Sequence, residues 1–336
     1  FKVHTEVVRK VPVKDVDFGK LADATYMWTG ADIEKLVTEA AALAMDEEAE
    51  HVEQRHFEEA METIRRSDAV LKGPIATPAG PGTYRSVNVM LRQELGLFAN
   101  VRYFEHYEGI SLVGDFDVVL YRENTEGLYR GLEFRVGDAA LGIRVITREG
   151  AERILRAAFE AARARRRRLA VVHKANILKE TCGLFVRTAE ELSKKYPDVD
   201  VEYITVDAAA YKLLKSTRDF DVIVTANMFG DILSDELAGI VGSIGLVPSV
   251  NMGGGPPVFE AIHGAAFDIA GRGVANPAGL MLSAALMLEW LGYGRLGTEL
   301  RRSVKDCIAS GLRTPDLGGN LGTMGFADAV LRNLKT

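Results

Sequence analysis

The sequence predicts an open α/β fold preceded by a small all-α unit, and three observations predict it. Strand-turn-helix units repeat through the second half of the chain: LAVVHKANILKETCGLF, VDVEYITVDAAAYKLL and DFDVIVTANMFGDILSDE. The strand parts are short apolar runs with β-branched residues, the pattern of buried strands. Lys174, Asp207 and Asp231 stand at the C-terminal ends of those strands, the edge where open α/β sheets place their chemistry.

Residues 1–67 differ in character from the rest. KDVDFGKLADATYMWTGADIEKLVTEAAALAMDEEAE reads as two helices joined at Trp28-Thr29-Gly30, with Thr29 as cap of the second and Asp32 completing a capping-box-like start. HVEQRHFEEAMETIRR reads as a further amphipathic helix with Val52, Phe57, Ala60, Met61 and Ile64 on its apolar side. His4, His51 and His56 are expected at the surface of this unit.

From Ser67 the chain changes. DAVLKGPI reads as a strand, ATPAGPGT as a loop, and YRSVNVMLRQELGLFANVR as an amphipathic helix leading into another strand. Ser86, Asn88, Arg92 and Arg102 supply donors and fixed charge there, and a guanidinium presents a planar fork suited to carboxylates. Arg122, after the apolar strand in VVLYRENTEGLY, is a third candidate of that kind. Ordinary surface arginines on a helix are the plainer alternative. AERILRAAFEAARARRRR is a helix whose basic end is expected to be a solvated C-terminus rather than a nucleic-acid patch.

The organising stretch is TANMFGDILSDE. If it opens a helix after a turn at Gly230, Asp231 and Asp235 lie one turn apart on one side. Paired carboxylates of that spacing suit Mg²⁺ or Mn²⁺; acidic residues complementing a helix dipole are the alternative. The glycine-rich stretch GSIGLVPSVNMGGGPPVFEAIHGAAFDIAGRGVANP carries His263, Asp268 and Asn276. Asp268 could accept hydrogen bonds from a ribose 2′-hydroxyl, the feature that favours NAD over NADP. No G-x-G-x-x-G follows a strand, so a dinucleotide site here is not of Rossmann type. The helix AGLMLSAALMLEWLGY reads as core or subunit interface.

The totals agree with these readings. The 336 residues suffice for two domains, and a net charge of −6 gives no global attraction to nucleic acid or an anionic membrane. Cys182 and Cys307 form no disulfide or zinc pattern, no apolar run reaches membrane-span length, and the N-terminus is not a signal peptide, so a cytoplasmic protein is expected. The start at Phe1 is read as trimming or processing.

The stretches VPVKDVDFGKLADAT, TGADIEKLVTEAAALAM and HFEEAMETIRRS resemble the helical lid that follows the ATP-binding domain of archaeal AAA+ ATPases, though no phosphate loop G-x-x-x-x-G-K-[ST] is present. Residues 68–336 resemble the β-decarboxylating dehydrogenases acting on isocitrate, 3-isopropylmalate and homoisocitrate, archaeal members above all. The carriers are YRSVNVMLRQELGLFANVR, RENTEGLYRG, HKANILK, the strand ending at Asp207, NMFGDILSDE, HGAAFDIAGRGVANP and TPDLGGNLGT, in the family's order.

The resemblance implies open sheets with helices on both faces. It implies a cofactor-side domain from 68–105 with 241–336, and a second domain, 106–240, for substrate, metal and dimerisation. Arg92, Arg102 and Arg122 would bind the malate carboxylates, and Tyr129 would deliver a proton after decarboxylation. Lys174 would help deprotonate the substrate hydroxyl. Asp207, Asp231 and Asp235 would hold the metal, and His263, Gly264, Asp268, Ile269 and Asn276 the adenosine half of NAD. Lys174 and Asp207 would come from a second subunit, which implies a homodimer. Ser86 and Asn88, in S-x-N-x-x-L-R, resemble the isocitrate enzymes, whereas RENTEGLY and VDAAAYKLL resemble isopropylmalate and homoisocitrate enzymes as closely. The family's opening G-D-G-I-G-P-E strand and loop are absent from this sequence, so a chimera with impaired activity is expected. A non-catalytic assembly scaffold is the alternative, and an ATPase regulator ranks below both.

Overall fold

The computed structural model describes residues 12–24, short pieces between 40 and 59, residues 66–74 and residues 87–335. The Trp28-Thr29-Gly30 junction with its cap, His4 and Ser86 lie outside these residues. In the N-terminal unit, helix α1 (Phe18–Ala24) starts at Asp17, whose carboxylate accepts the Gly19 and Lys20 N–H groups at 2.9 Å. Val52 is not on a helix: it bridges Val13 in parallel. His56 is not at the surface either but fully buried. Its Nδ1 accepts the Glu53 N–H at 2.8 Å and its Nε2 lies 3.3 Å from Glu47. With both ring nitrogens partnered, the imidazole can leave water at small cost.

The remaining elements follow in chain order. They are β1 (Val70–Leu71), α2 (Val87–Glu94), β2 (Ala99–Glu105), β3 (Asp117–Glu123), β4 (Glu133–Val136), β5 (Ala139–Gly142) and α3 (Arg148–Ala164). Then come β6 (Arg168–His173), α4 (Thr181–Ser193), β7 (Asp200–Thr205), α5 (Val206–Ser216), β8 (Val222–Thr225) and α6 (Asn227–Val241). The chain closes with β9 (Pro248–Met252), β10 (Val258–Ala261), α7 (Ala278–Trp290), α8 (Gly294–Ala309) and α9 (Thr323–Arg332).

Eight strands form one mixed sheet in the order β1-β10-β9-β2-β3-β8-β6-β7. β3, β8, β6 and β7 run parallel, whereas β9 and β2 are antiparallel to their neighbours. β2 pairs with β9 on one side and β3 on the other, so the sheet is continuous across residues 105 and 106. Helices cover both faces. On one face α6 sets Leu233 and Leu237 against Phe104, Val118, Leu120 and Ile223; on the other, α3 sets Ile154, Leu155 and Phe159 against Val119, Tyr121, Val171 and Val224. A strand buried on both faces needs apolar residues at successive positions, as Val118 to Tyr121 supply. β4 and β5 make a separate hairpin that is exposed throughout.

The basic end of α3 is less solvated than expected. Arg165 and Arg166 both reach the fully buried Asp221 carboxylate, at 2.9 and 3.3 Å, and Arg165 also pairs with Asp117. A buried aspartate at the start of β8 requires such partners.

Candidate active site

The parallel strands all end at one edge of the sheet. β3 delivers Arg122 there, β8 leads into Asn227, β6 into Lys174, and β7 into Asp207. Antiparallel β2 brings its first residues to the same edge, with Asn100 in register with Arg122. β7 ends at Thr205, two residues earlier than expected, and Asp207 lies in the first turn of α5.

Arg122, Arg102, Tyr129, Asp231 and Asp235 come together. Asp231 is the hub. Arg122 Nη1 pairs with its Oδ1, the Tyr129 hydroxyl donates to its Oδ2, and Arg102 Nη2 lies 3.5 Å from Oδ1. Arg102 Nη1 lies 3.9 Å from Asp235 and also donates to Ser234 Oγ. The Arg122 guanidinium sits 5.0 Å over the Tyr129 ring. Gly230 is not a turn but a residue within α6, and its lack of a side chain admits Arg122: a Cβ there would lie 2.7 Å from Arg122 Cγ. The arginines are buried, at 2% and 5% exposure, while the Asp231 and Asp235 side chains are 38% and 64% exposed and face the opening.

The electrostatics follow from that order. Burial, reinforced by Arg102 and Arg92, pushes the Arg122 guanidinium down to about 9. Burial would raise the Asp231 carboxyl, but Arg122, the Tyr129 hydrogen bond, Arg102 and Arg92 hold it below the ordinary range. Asp235 is raised by burial, with Asp231 adding to the shift against Arg102. Burial and the hydrogen bond to Asp231 raise Tyr129, which keeps its proton at neutral pH. Two buried guanidinium groups side by side present the planar forks that suit a carboxylate.

Arg92 lies deeper. Its Nη2 is 3.4 Å from Glu260, which also pairs with Lys72 at 2.5 Å and accepts Asn251 Nδ2 at 2.7 Å. Asn251 Oδ1 in turn accepts Asn100 and Asn124 at 3.0 Å, and Asn100 accepts Arg102 Nε at 2.5 Å, so buried amides link the two clusters. Asn88 stands one turn before Arg92 on α2. Its Oδ1 and Arg92 Nε are both buried without a hydrogen-bond partner.

Lys174 and Asp207 form a pair of their own, which holds the Asp207 carboxyl below its usual value. Asp231 and Asp235 offer the hard oxygens that Mg²⁺ or Mn²⁺ takes. Among the described residues, no third His, Cys, Asp or Glu joins them in a metal-sized group. Among the described residues, the donor chemistry for such a cation here is these two carboxylates. In the glycine-rich stretch, Gly264 and Asp268 are exposed and Ile269 ends a short 3₁₀ turn, while His263 Nδ1 lies 3.0 Å from the Gly264 carbonyl oxygen. Asn276 is buried, donating to Asp316 at 3.0 Å and accepting the Ala278 N–H at 2.9 Å. Its amide shapes this stretch from within.

The sequence reading passed over Asn227, Ser234, Asn100, Asn251, Glu260 and Lys72. For Asn227 and Ser234 a signal existed: they stand four residues before and three after Asp231, on its side of the helix. Glu260 lies 168 residues from Arg92, and no local pattern announces that pair.

The family model described as isocitrate/isopropylmalate dehydrogenase matches residues 30–330. That span takes in much of the N-terminal unit set apart as 1–67. The chain is 50% identical over 275 residues to a 3-isopropylmalate dehydrogenase of Archaeoglobus fulgidus, covering 81% of this chain and 83% of that one. It is 42% identical over 281 residues to a mitochondrial isocitrate dehydrogenase [NAD] catalytic subunit of Arabidopsis thaliana, covering 82% and 75%. The fold matches the crystal structure of isocitrate dehydrogenase from Methylococcus capsulatus with a TM-score of 0.79 and 43% identity over 83% of this chain and 85% of that one.

Proposed function

From the premise that this chain belongs to the isocitrate/isopropylmalate dehydrogenase family, we propose that it oxidises and decarboxylates isocitrate with NAD and a divalent cation. The observation that carries the reading is the pair of buried guanidinium groups, Arg102 and Arg122, gathered around Asp231 beside the Tyr129 hydroxyl. Arg92, Arg102 and Arg122 hold the two carboxylates of the malate core. Asn88, with Ser86 two residues before it in the sequence, supplies polar groups for the third substituent. The Asn88 amide N–H groups can donate to a carboxymethyl arm, which an isopropyl group cannot use.

Asp231 and Asp235 hold Mg²⁺ or Mn²⁺, and Asp207 of a second subunit completes the set. When bound, the cation would supply Lewis acidity at the substrate hydroxyl and the nicotinamide would supply a hydride acceptor. Lys174 of that second subunit, directly or through water, accepts the hydroxyl proton. The 3-oxo acid then loses CO₂. Tyr129, kept protonated by burial, delivers its proton to the carbon that lost it. His263, Gly264, Asp268, Ile269 and Asn276 form the adenosine side, Asn276 by fixing the backbone and Asp268 by accepting from the ribose.

The exposed hairpin supports the homodimer. Phe134 and Val136 on β4, with Leu132, Leu141 and Ile143 beside them, form an apolar surface that a second copy would cover. The division into 68–105 plus 241–336 and 106–240 belongs to the same reading. Two free buried cysteines suit a reducing, cytoplasmic setting. Among the described residues no helix is long and apolar enough to cross a membrane. The lid-like reading of residues 1–67 rests on their sequence pattern alone.

The 50% identity to a 3-isopropylmalate dehydrogenase favours a second reading, in which that acid is the substrate. NADH formation with Mg²⁺, tested on isocitrate, 3-isopropylmalate and homoisocitrate with NADP as control, decides. Preference for isocitrate is the expected outcome. Preference for 3-isopropylmalate establishes the second reading. Silence from a folded dimer with all three leaves the assembly scaffold.

A further inference from the structure

Asn227 is 1% exposed and stands at the first position of α6. Its Oδ1 accepts two N–H groups of Arg122, from Nε at 2.9 Å and Nη2 at 2.8 Å. Its Nδ2 donates to the Glu126 carbonyl at 3.1 Å. That carbonyl precedes the turn at Gly127, which adopts φ +80° and ties its N–H to Val145 O at 2.8 Å. The next three residues, Leu128–Arg130, form the 3₁₀ turn that carries Tyr129. A single amide thus touches the arginine that meets the carboxylate and the loop that carries the proton donor.

The amide is suited to the task. A carboxylate in its place would set a second anion beside Asp231 on Arg122 and compete with an incoming anion. A neutral oxygen fixes the fork of the guanidinium and leaves its positive charge available. An amide alone among small side chains offers an acceptor at one end and a donor at the other.

We propose that Asn227 is a positioning residue that couples carboxylate capture at Arg122 to the seating of the Tyr129 turn. This inference rests on the dehydrogenase reading for its catalytic meaning. Its test uses malonate, a dicarboxylate that cannot be oxidised there, so it does not depend on turnover. Affinity is read by calorimetry, and amide hydrogen exchange is read on the peptide 126–131.

In the parent chain, saturating malonate slows exchange of that peptide by about tenfold. Asn227→Ala binds malonate about tenfold more weakly and shows no slowing at saturation. Asn227→Asp is isosteric and sets an oxygen against the Glu126 carbonyl, so it too loses the slowing, and it decides the matter alone if the alanine variant fails to fold. A purely structural role would lower the melting temperature of the variants and leave the malonate-induced slowing intact. Slowing that survives in a folded variant, or its absence from the parent, overturns the coupling. Failure of the parent to turn over any of the three acids sinks the dehydrogenase reading and leaves this result standing.

Discussion

Two charge clusters share this sheet and are built in opposite order. Around Glu260 the carboxylate lies at the bottom, with Lys72 and Arg92 packed on it and all three buried. Around Asp231 the guanidinium groups of Arg102 and Arg122 lie at the bottom and the carboxylates face the opening. The first arrangement is closed: the anion is satisfied from within, and Lys72 and Arg92 carry the Glu260 carboxyl down to about 2 against the burial that would raise it. The second is open: its guanidinium nitrogens are partnered, but the carboxylates they meet are partly exposed. A carboxylate buried between cations serves stability, and guanidinium groups behind exposed carboxylates serve binding, with Arg92 belonging to the first by its ion pair and reaching the second by its unpartnered Nε.

Removing the closed anion sharpens that contrast most. Glu260→Gln leaves Lys72 and Arg92 uncompensated and is expected to cost about 3–5 kcal/mol, read as a loss of melting temperature. The acid limb belongs to the same test. The folded-state value of Glu260 is depressed below the ordinary 4.5, so its stabilisation is complete above that value and is lost as pH falls toward about 2. Parent and variant should therefore converge in stability as pH falls through that window. An unchanged gap would mean that the pair is not what holds this end together.

The open cluster should respond in rate rather than in stability. Arg122→Lys keeps a charge but loses the fork that reaches Asp231 and Asn227 together. We expect kcat/KM to fall by about 10²–10³-fold, with a smaller loss of melting temperature than Glu260→Gln shows. The reverse ranking in calorimetry would break the comparison. The smallest effect is expected at Gly230→Ala. The added Cβ would meet Arg122 Cγ at 2.7 Å and Cβ at 2.8 Å, so the base of that side chain must shift and carry the guanidinium with it. About 1–3 kcal/mol of overpacking and a severalfold rise in KM are expected, and an unchanged KM would show that Arg122 has room to spare.

How much of this was legible depended on distance along the chain. Asp231 and Asp235 share a helix turn, and Arg122, Lys174 and Asp207 follow apolar strands, so local pattern brought them to one edge. The fold class followed from the same repeated units. Gly230 was misread as a turn because its reason is not local: it faces Arg122, 108 positions earlier in the numbering. His56 was misplaced at the surface because partners for both ring nitrogens do not show in an amphipathic pattern. The Glu260 cluster stayed hidden because β1 and β10 meet only through the sheet order, and Arg92 reaches them from a helix 168 residues from Glu260. Buried asparagines such as Asn100 and Asn251 look like loop residues until their strands are paired.

The mouth of the Asp231 cluster has a practical corollary. An anion that bound the folded chain alone at this guanidinium floor would add to its stability in proportion to the logarithm of its concentration. Sulfate or phosphate in a storage buffer would then enter the melting curves and compete in the assays, behind carboxylates that stand at the mouth.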